Sequence, residues 1–143
     1  MQILKVSWKT HQTALKAIRT AIFIDEQGID PKDEWDPLDT GAIHLLALHD
    51  DYPVGCARII DLRKIGRMAV LSNMRRKNIG GSLLKKAILY IRDAGNTPSL
   101  GAQVGAMSFY ANHGFLPTGK VFDDAGIPHR TMTLIGDTEK SLN

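Results

Sequence analysis

Hydrophobic and polar positions alternate over the first residues of the chain and then change to a helical spacing. Residues Ile3 to Trp8 alternate and predict a first strand. Leu15, Ile18 and Ile22 recur at helical spacing and predict an amphipathic first helix. In Asp30-Pro31 a residue suited to an N-cap precedes a proline, which favours a short second helix at this point.

Three apolar runs follow in the middle of the chain, separated by short polar segments. Ala42 to His49 and Val54 to Ile60 predict two strands, and Asp50-Asp51-Tyr52-Pro53 between them has the composition of a hairpin turn. Ile65 to Leu71 lies close behind and predicts a third strand. Together the three runs predict an antiparallel meander.

The pattern then changes to a polar loop, a long helix and further strands. One apolar stripe predicts the helix, which ends near Gly95 and contains Leu83, Leu84, Ala87, Ile88 and Ile91. The later elements are a strand, a short helix and two strands: Ser99 to Val104, Met107 to His113, a run from Phe115, and His129 to Ile135. This order predicts an α+β fold with a mixed, mostly antiparallel sheet flanked by helices.

Length and composition indicate one compact domain that spans residues 1–143. Hydrophobic residues make up 43% of the chain and charged residues 23%, so disorder is not expected. The single cysteine, Cys56, cannot form an internal disulfide, and we expect a protein of the reducing cytoplasm. The uncharged stretch 94–119 contains Asn96, Pro98 and Gln103, which argues against a membrane span.

Charge is distributed in two blocks of opposite sign. Seven acidic residues and one lysine lie between Asp25 and Asp39, whereas nine basic residues and one acid lie between Arg58 and Lys86. This layout suits a protein that holds an anion at one place and a cation at another. The alternative is a solvated surface with no binding role.

The turn Arg75-Arg76-Lys77-Asn78-Ile79-Gly80-Gly81 joins a predicted strand to the long helix. The free N–H groups of a first helical turn form an anion site, and small residues let a phosphate approach the backbone. The spacing matches neither the P-loop nor the dinucleotide-binding glycine motif. A tight turn with a solvated basic rim is the alternative.

This turn resembles motif A of the GNAT superfamily of acyl-CoA-dependent N-acetyltransferases. Arg75 takes the leading glutamine or arginine position and Gly80 the closing glycine, while Asn78 replaces the middle glycine. Asparagine tolerates left-handed backbone angles, so the loop shape can persist. Nearly the whole chain resembles a small, single-domain bacterial branch with YjcF-like and ElaA-like members, through short matches such as Glu26-Gln27, Phe109-Tyr110 and the segment from Asp124 to His129.

The resemblance implies acetyl-CoA as the acyl donor and an amine as the acceptor, joined by direct transfer in a ternary complex. It implies that backbone N–H groups of a splayed fourth strand hold the thioester oxygen, here Met68, Ala69 and Val70. The donor's pyrophosphate would lie on the loop. The full set of implied loop and aromatic contacts is Arg75, Arg76, Lys77, Asn78, Ile79, Gly80, Gly81 and Phe109.

The same resemblance implies that Tyr110, in the pattern Phe-Tyr-x-x-x-Gly-Phe, protonates the departing thiolate. The alternative is a buried aromatic side chain whose hydroxyl bonds to a backbone carbonyl.

Several side chains could remove the proton from the attacking amine. Glu26 is the first candidate for this base, and Asp36, His44 and His129 are alternatives, acting directly or through water. Gln103 would orient the acceptor beside Asp36 and the two histidines. Arg58 is a competing consideration, because a buried arginine needs an acidic partner and Glu26 or Asp36 could supply it. No metal is assigned.

The sequence therefore predicts an N-acetyltransferase that acts on a primary amine, and the acidic block favours a cationic small molecule. An acyl-CoA-binding sensor with weak catalysis is a second hypothesis, since the middle glycine is missing and no base is obvious. A nucleic-acid module on the basic block is a third, which the lack of interleaved aromatic residues disfavours. We expect neither a nucleic-acid nor a membrane partner, and a homodimer remains open.

Overall fold

The computed structural model describes residues 1–135, so the last residues of the expected single domain, 136–143, lie outside the described part. Within it, seven strands form one sheet: β1 (Gln2–Val6), β2 (Ile43–His49), β3 (Tyr52–Ile60), β4 (Lys64–Val70), β5 (Ser99–Gln103), β6 (Phe115–Asp124) and β7 (Ile127–Leu134). Their spatial order is β1-β2-β3-β4-β5-β7-β6. All neighbouring pairs are antiparallel except β4 and β5, which are parallel.

The helices are α1 (Trp8–Arg19), α2 (Pro31–Glu34), α3 (Ile79–Asp93) and α4 (Met107–Ala111). A π-helical segment, Thr20–Glu26, extends α1. The predicted order of elements and the α+β class are confirmed.

The predicted end of the first strand is wrong, because Trp8 belongs to α1 and not to that strand. The hydroxyl of Ser7 accepts a hydrogen bond from the N–H of Thr10 at 3.2 Å and caps the helix, which therefore begins at Trp8. The predicted hairpin turn is present but shorter: Asp50 and Asp51 have φ of 50° and 67° between the paired residues His49 and Tyr52, whereas Tyr52 and Pro53, predicted as part of the turn, begin β3. Two successive positive φ angles are typical of a type I′ turn.

The core lies on both faces of the sheet, because successive strand residues point to opposite sides. Leu45 and Ala47 of β2 pack in the cluster that holds the apolar stripe of α3, including Leu83. Leu46, between them, packs with Leu15 of α1 in the other cluster. Helices therefore cover the sheet on both sides.

The parallel strands β4 and β5 pair only at their beginnings. The register joins Lys64 to Ser99 and Ile65 to Leu100, and no further pair follows although both strands continue. On the other side of β4, the register with β3 shifts by one residue between Gly66 and Ala69. Arg67, in this bulge, has φ of 48°. The sheet is thus open between the second halves of β4 and β5, and we call this gap the cleft.

Candidate active site

A cavity of about 440 Å³ occupies the cleft. Five of the predicted site residues line it: Asp36, Met68, Gln103, Tyr110 and His129. Glu26, His44 and the loop 75–81 are not among the lining residues. The fold therefore gathers residues from the segment after α2 and from β4, β5, α4 and β7, which lie far apart in the sequence.

The edge of β4 that faces the cleft carries the backbone groups of Val70, which pair with no neighbouring strand. The N–H of Leu71 donates to the carbonyl of Val54 in β3 at 2.9 Å. Backbone groups of alternate residues point to opposite edges of a strand, so those of Val70 face the cleft. In agreement, Nε of Arg75 donates to the Val70 carbonyl at 3.1 Å from that side.

The same alternation corrects the prediction for Ala69. Ala69 is paired with Cys56 of β3, and its backbone groups point to β3 together with those of Leu71. Of the three residues predicted to hold a thioester oxygen, Val70 is therefore placed to donate its N–H into the cleft. Met68 contributes its side chain to the cavity wall.

The predicted phosphate loop turns sharply before α3. Arg76 and Asn78 have φ of 66° and 61°, which confirms that asparagine adopts the left-handed conformation in place of the middle glycine. The N–H and hydroxyl groups of Ser82 donate to the Asn78 carbonyl at 3.1 and 3.0 Å and close the first helical turn. The N–H groups of residues 79–81 precede this turn and have no intrahelical acceptor.

Two glycines of this loop lie close to neighbouring side chains. A Cβ atom on Gly81 would collide with the side-chain oxygen of Asn78, so a larger residue here would displace the Asn78 side chain. A Cβ on Gly80 would lie 3.5 Å from the ring of Phe109. The predicted contact residue Phe109 thus packs directly against the start of α3.

The hydroxyl of Tyr110 is buried beside the open edge of β4. Its partner is the thioether of Met68, with Oη and Sδ 3.8 Å apart. A thioether is a weak acceptor, so the hydroxyl retains most of its capacity to donate. Burial raises the pKa of Tyr110 to about 12, which keeps the phenol protonated near neutral pH.

Glu26 faces Arg75 and not the cavity. The two carboxylate oxygens of Glu26 accept hydrogen bonds from Nη1 and Nη2 of Arg75, both at 2.8 Å. This bidentate hydrogen bond, together with the positive charge of Arg75, lowers the pKa of Glu26, whose side chain is 41% exposed. The first-choice base and a predicted phosphate-binding residue therefore form one ion pair.

A network of charged side chains, here called the charge cluster, lies beneath and beside the cavity. Arg19 donates to Glu34 and Asp39, both at 2.7 Å. Arg58 donates to both oxygens of Asp36, at 2.8 and 3.1 Å. The cluster contains three arginines and three carboxylates, so its formal charges balance: Arg19, Arg58, Arg67, Glu34, Asp36 and Asp39.

Asp36 lines the cavity as a member of this cluster. Burial by itself would raise its pKa, but the hydrogen bonds and charges of Arg58 and Arg67 hold the pKa of Asp36 below its usual range. The sequence left open whether Glu26 or Asp36 is the acidic partner of Arg58. In the structure Asp36 takes this position. A carboxylate held in this way is a weak base.

The expectation that His44 contacts the acceptor is not supported by its position. Its side chain is 1% exposed, its Nε2 lies 2.9 Å from the carbonyl oxygen of Asp39, and its ring lies 5.4 Å from that of Trp8. Burial lowers the pKa of His44 and keeps the imidazole neutral. His44 supports the charge cluster from within the core and is out of a substrate's reach.

Gln103 and His129 face each other across β5 and β7 on the wall of the cavity. The side-chain nitrogen of Gln103 donates to the side-chain oxygen of Gln27 at 2.8 Å. Nδ1 of His129 lies 2.7 Å from the carbonyl oxygen of Ile127. Gln103 and His129, the two residues predicted to bind the amine acceptor, are thus each held in place by a short hydrogen bond.

Sequence reasoning missed three prominent residues of the cavity wall: Gln27, Arg67 and Phe122. Phe122 could not be found, because its pairing with His129 depends on the β6–β7 register, which shifts between Thr118 and Phe122. Arg67 could not be found either, because the bulge in β4 changes the alternation at that residue.

No three metal-ligating side chains meet in an arrangement suited to a metal ion within residues 1–135. In the same part of the chain, every helix is too short or too polar to span a bilayer.

Comparison with known proteins identifies the family. Residues 29–135 match the family model described as Acetyltransferase (GNAT) domain. ElaA of Escherichia coli (strain K12) is 33% identical over 128 residues, which cover 83% of this chain and 84% of ElaA. The chain belongs to the GNAT family of acetyltransferases. It is accordingly an acyltransferase enzyme, as the resemblance implied.

Solved structures agree with this acetyltransferase assignment. The crystal structure of E. coli ElaA superimposes with a TM-score of 0.83 at 27% identity and covers 94% of this chain and 100% of ElaA's. An acyl-CoA N-acyltransferase from Pseudomonas aeruginosa gives 0.83 at 25% identity, with 94% and 99% covered. PaiA N-acetyltransferase from Thermoplasma acidophilum, solved in complex with coenzyme A, shares the fold with a TM-score of 0.70 at 18% identity, with 93% and 97% covered. The GNAT fold of this acetyltransferase is confirmed.

Proposed function

We propose that this enzyme transfers the acetyl group of acetyl-CoA directly to a primary amine of a small molecule, within a ternary complex. The observation that carries the proposal is the cleft, which has a free strand edge at Val70 on one side and the polar pair Gln103 and His129 on the other. A covalent acyl-enzyme is disfavoured, because the chain's one cysteine, Cys56, is 1% exposed and burial raises its pKa to about 12.

The donor would lie along β4 and the start of α3. An amide N–H of its pantetheine arm can donate to the Val70 carbonyl in place of Arg75, as an added strand would. Its pyrophosphate would accept hydrogen bonds from the N–H groups of residues 79–81, where the helix dipole favours negative charge. The Val70 N–H would then stabilise the thioester oxygen as negative charge develops on it.

The acceptor would occupy the cavity side of the cleft. Of the seven acids that suggested a cationic acceptor, four are paired with arginines: Glu26, Glu34, Asp36 and Asp39. Asp33, Asp124 and Lys64 also line the cavity. This balance supports a small primary amine and weakens the electrostatic argument for a polycation.

A screen of acceptors that measures thiol release tests the proposal. The purified chain is mixed with acetyl-CoA and a panel of monoamines, polyamines, amino acids and amino sugars, and calorimetry measures CoA binding separately. We expect CoA binding and amine-dependent thiol release. Binding without release for any amine would favour the sensor hypothesis, and absence of binding would contradict both.

Glu26 is proposed to restrain Arg75 and not to act as the base. In Glu26→Gln the guanidinium loses its anionic partner, so its charge attracts the polyanionic donor more strongly. We expect the dissociation constant for CoA to fall about threefold at low salt, with kcat unchanged within about twofold. Calorimetry and steady-state kinetics on the same preparation measure the two quantities.

The matched control is Asp25→Asn, which removes the same charge from the preceding residue. Asp25→Asn should change CoA affinity less than Glu26→Gln does. It alters only the long-range electrostatic attraction of CoA and leaves the pair of Glu26 and Arg75 in place. A fall in kcat of tenfold or more in Glu26→Gln, with CoA affinity unchanged, would restore Glu26 as the general base.

A further inference from the structure

We propose that Nε2 of His129 accepts the proton of the acceptor amine, with Gln103 holding the amine beside it. This inference rests on the proposed function, because it names the residue that prepares the nucleophile. The hydrogen bonds of the histidine, its strand partner and the state of the competing bases support it.

The protonation pattern of the imidazole follows from its hydrogen bond. Nδ1 lies 2.7 Å from the carbonyl oxygen of Ile127, and a carbonyl only accepts. Nδ1 therefore carries the hydrogen, and in the neutral ring Nε2 has a free lone pair. The hydrogen bond selects the tautomer in which the distal nitrogen can take a proton.

A second acceptor lies beside this lone pair. Gln103 and His129 are direct partners in the β5–β7 register, so their side chains share one face with Cβ atoms about 5 Å apart. The amide nitrogen of Gln103 donates to Gln27, which leaves its carbonyl oxygen free to accept. An amine that donates to this oxygen would present its remaining N–H to Nε2.

The ring of His129 is also held from the other side. Phe122 of β6 is its partner in the β6–β7 register, and the two rings stack with centroids 5.9 Å apart and planes 27° apart. Two restraints, one hydrogen bond and one stacked ring, therefore fix the imidazole on the cavity wall. A base held in position loses little entropy when the substrate binds.

The other candidate bases are already engaged. Arg75 binds both oxygens of Glu26, and Arg58 binds both oxygens of Asp36. His44 is buried beneath the cavity. Among the candidates that the sequence raised, His129 combines a place on the cavity wall with a free acceptor atom.

The proposed step balances as follows. The ammonium loses a proton to Nε2 of His129, and the freed nitrogen lone pair attacks the thioester carbon. The new C–N bond forms, the C–S bond breaks, and the thiolate takes the proton of Tyr110. As the amide forms, the attacking nitrogen loses its second proton to solvent, and the proton left on His129 passes through solvent to the Tyr110 phenolate. The products are an amide, free CoA and one released proton, and both side chains return to their starting states.

Comparison of two acceptors in His129→Gln tests the proposal. An alkylamine is protonated at neutral pH and needs the base, whereas an alkoxyamine such as methoxyamine is already neutral. We expect kcat/KM to fall about thirtyfold for the alkylamine and less than about threefold for methoxyamine. Free imidazole should restore part of the alkylamine rate in His129→Ala.

Controls separate this result from a structural effect. CoA affinity and thermal midpoint should match the wild type in both variants, and His49→Gln, on the exposed end of β2, should keep both rates. Equal losses for both acceptors, or no loss, would overturn the role of His129 as base. If the wild-type chain releases no thiol with either amine, the proposed function itself fails.

Discussion

We expect Tyr110→Phe to lower kcat about a hundredfold, while the dissociation constant for CoA stays within about twofold of the wild-type value. The variant removes one hydroxyl whose acceptor is the weak thioether of Met68, so the fold loses little. The transition state loses its proton donor to the departing thiolate. Stopped-flow measurement of thiol release with saturating amine gives the rate directly.

Two controls make this result specific to proton donation. Tyr52→Phe removes the hydroxyl of a tyrosine that is 75% exposed on β3 and should leave kcat unchanged. When the acyl donor carries a more acidic thiol, the thiolate departs without protonation. Tyr110→Phe should therefore lose less activity with that donor than with acetyl-CoA. An equal loss with both donors would show that Tyr110 only positions the thioester.

Arg19→Met is expected to lower the free energy of unfolding by about 3–5 kcal/mol. The guanidinium is 1% exposed, and its loss leaves Glu34 and Asp39 buried with fewer positive partners. It also removes the guanidinium from beside the rings of Trp8 and Trp35, whose centroids lie 5.4 and 5.0 Å from the guanidinium carbon. Urea unfolding followed by tryptophan fluorescence measures the change.

Lys9→Met provides the matched control, because it makes the same kind of replacement on the exposed face of α1. Its stability should stay within about 0.5 kcal/mol of the wild type. Arg19→Lys keeps the positive charge but loses the planar guanidinium that donates to both Glu34 and Asp39. Its free energy of unfolding should lie between those of Arg19→Met and Lys9→Met. A loss below 1 kcal/mol in Arg19→Met would mean that Arg58 and Arg67 alone neutralise the three carboxylates.

Most of the fold could be predicted from local patterns. The apolar runs of β2 and β3, the stripe through Leu83 and a turn at Asp50-Asp51 depend on neighbours within a few residues, and all are present in the structure. The exception at Trp8 arose because the capping hydroxyl of Ser7 outweighs a hydrophobic alternation. The left-handed Asn78 was predictable for the same local reason, since it depends on its own backbone energy.

In the candidate site too, local features could be predicted and long-range contacts could not. The sequence by itself determined which residue types could take part, the order of elements, the turn before α3 and the family that these patterns resemble. Only the tertiary structure decided that Arg75 neutralises Glu26, that Arg58 holds Asp36, and that Gln103 stands beside His129. Hydrogen bonds within a segment follow from spacing along the chain, whereas charge pairing across the molecule depends on strand register and on how the segments pack together.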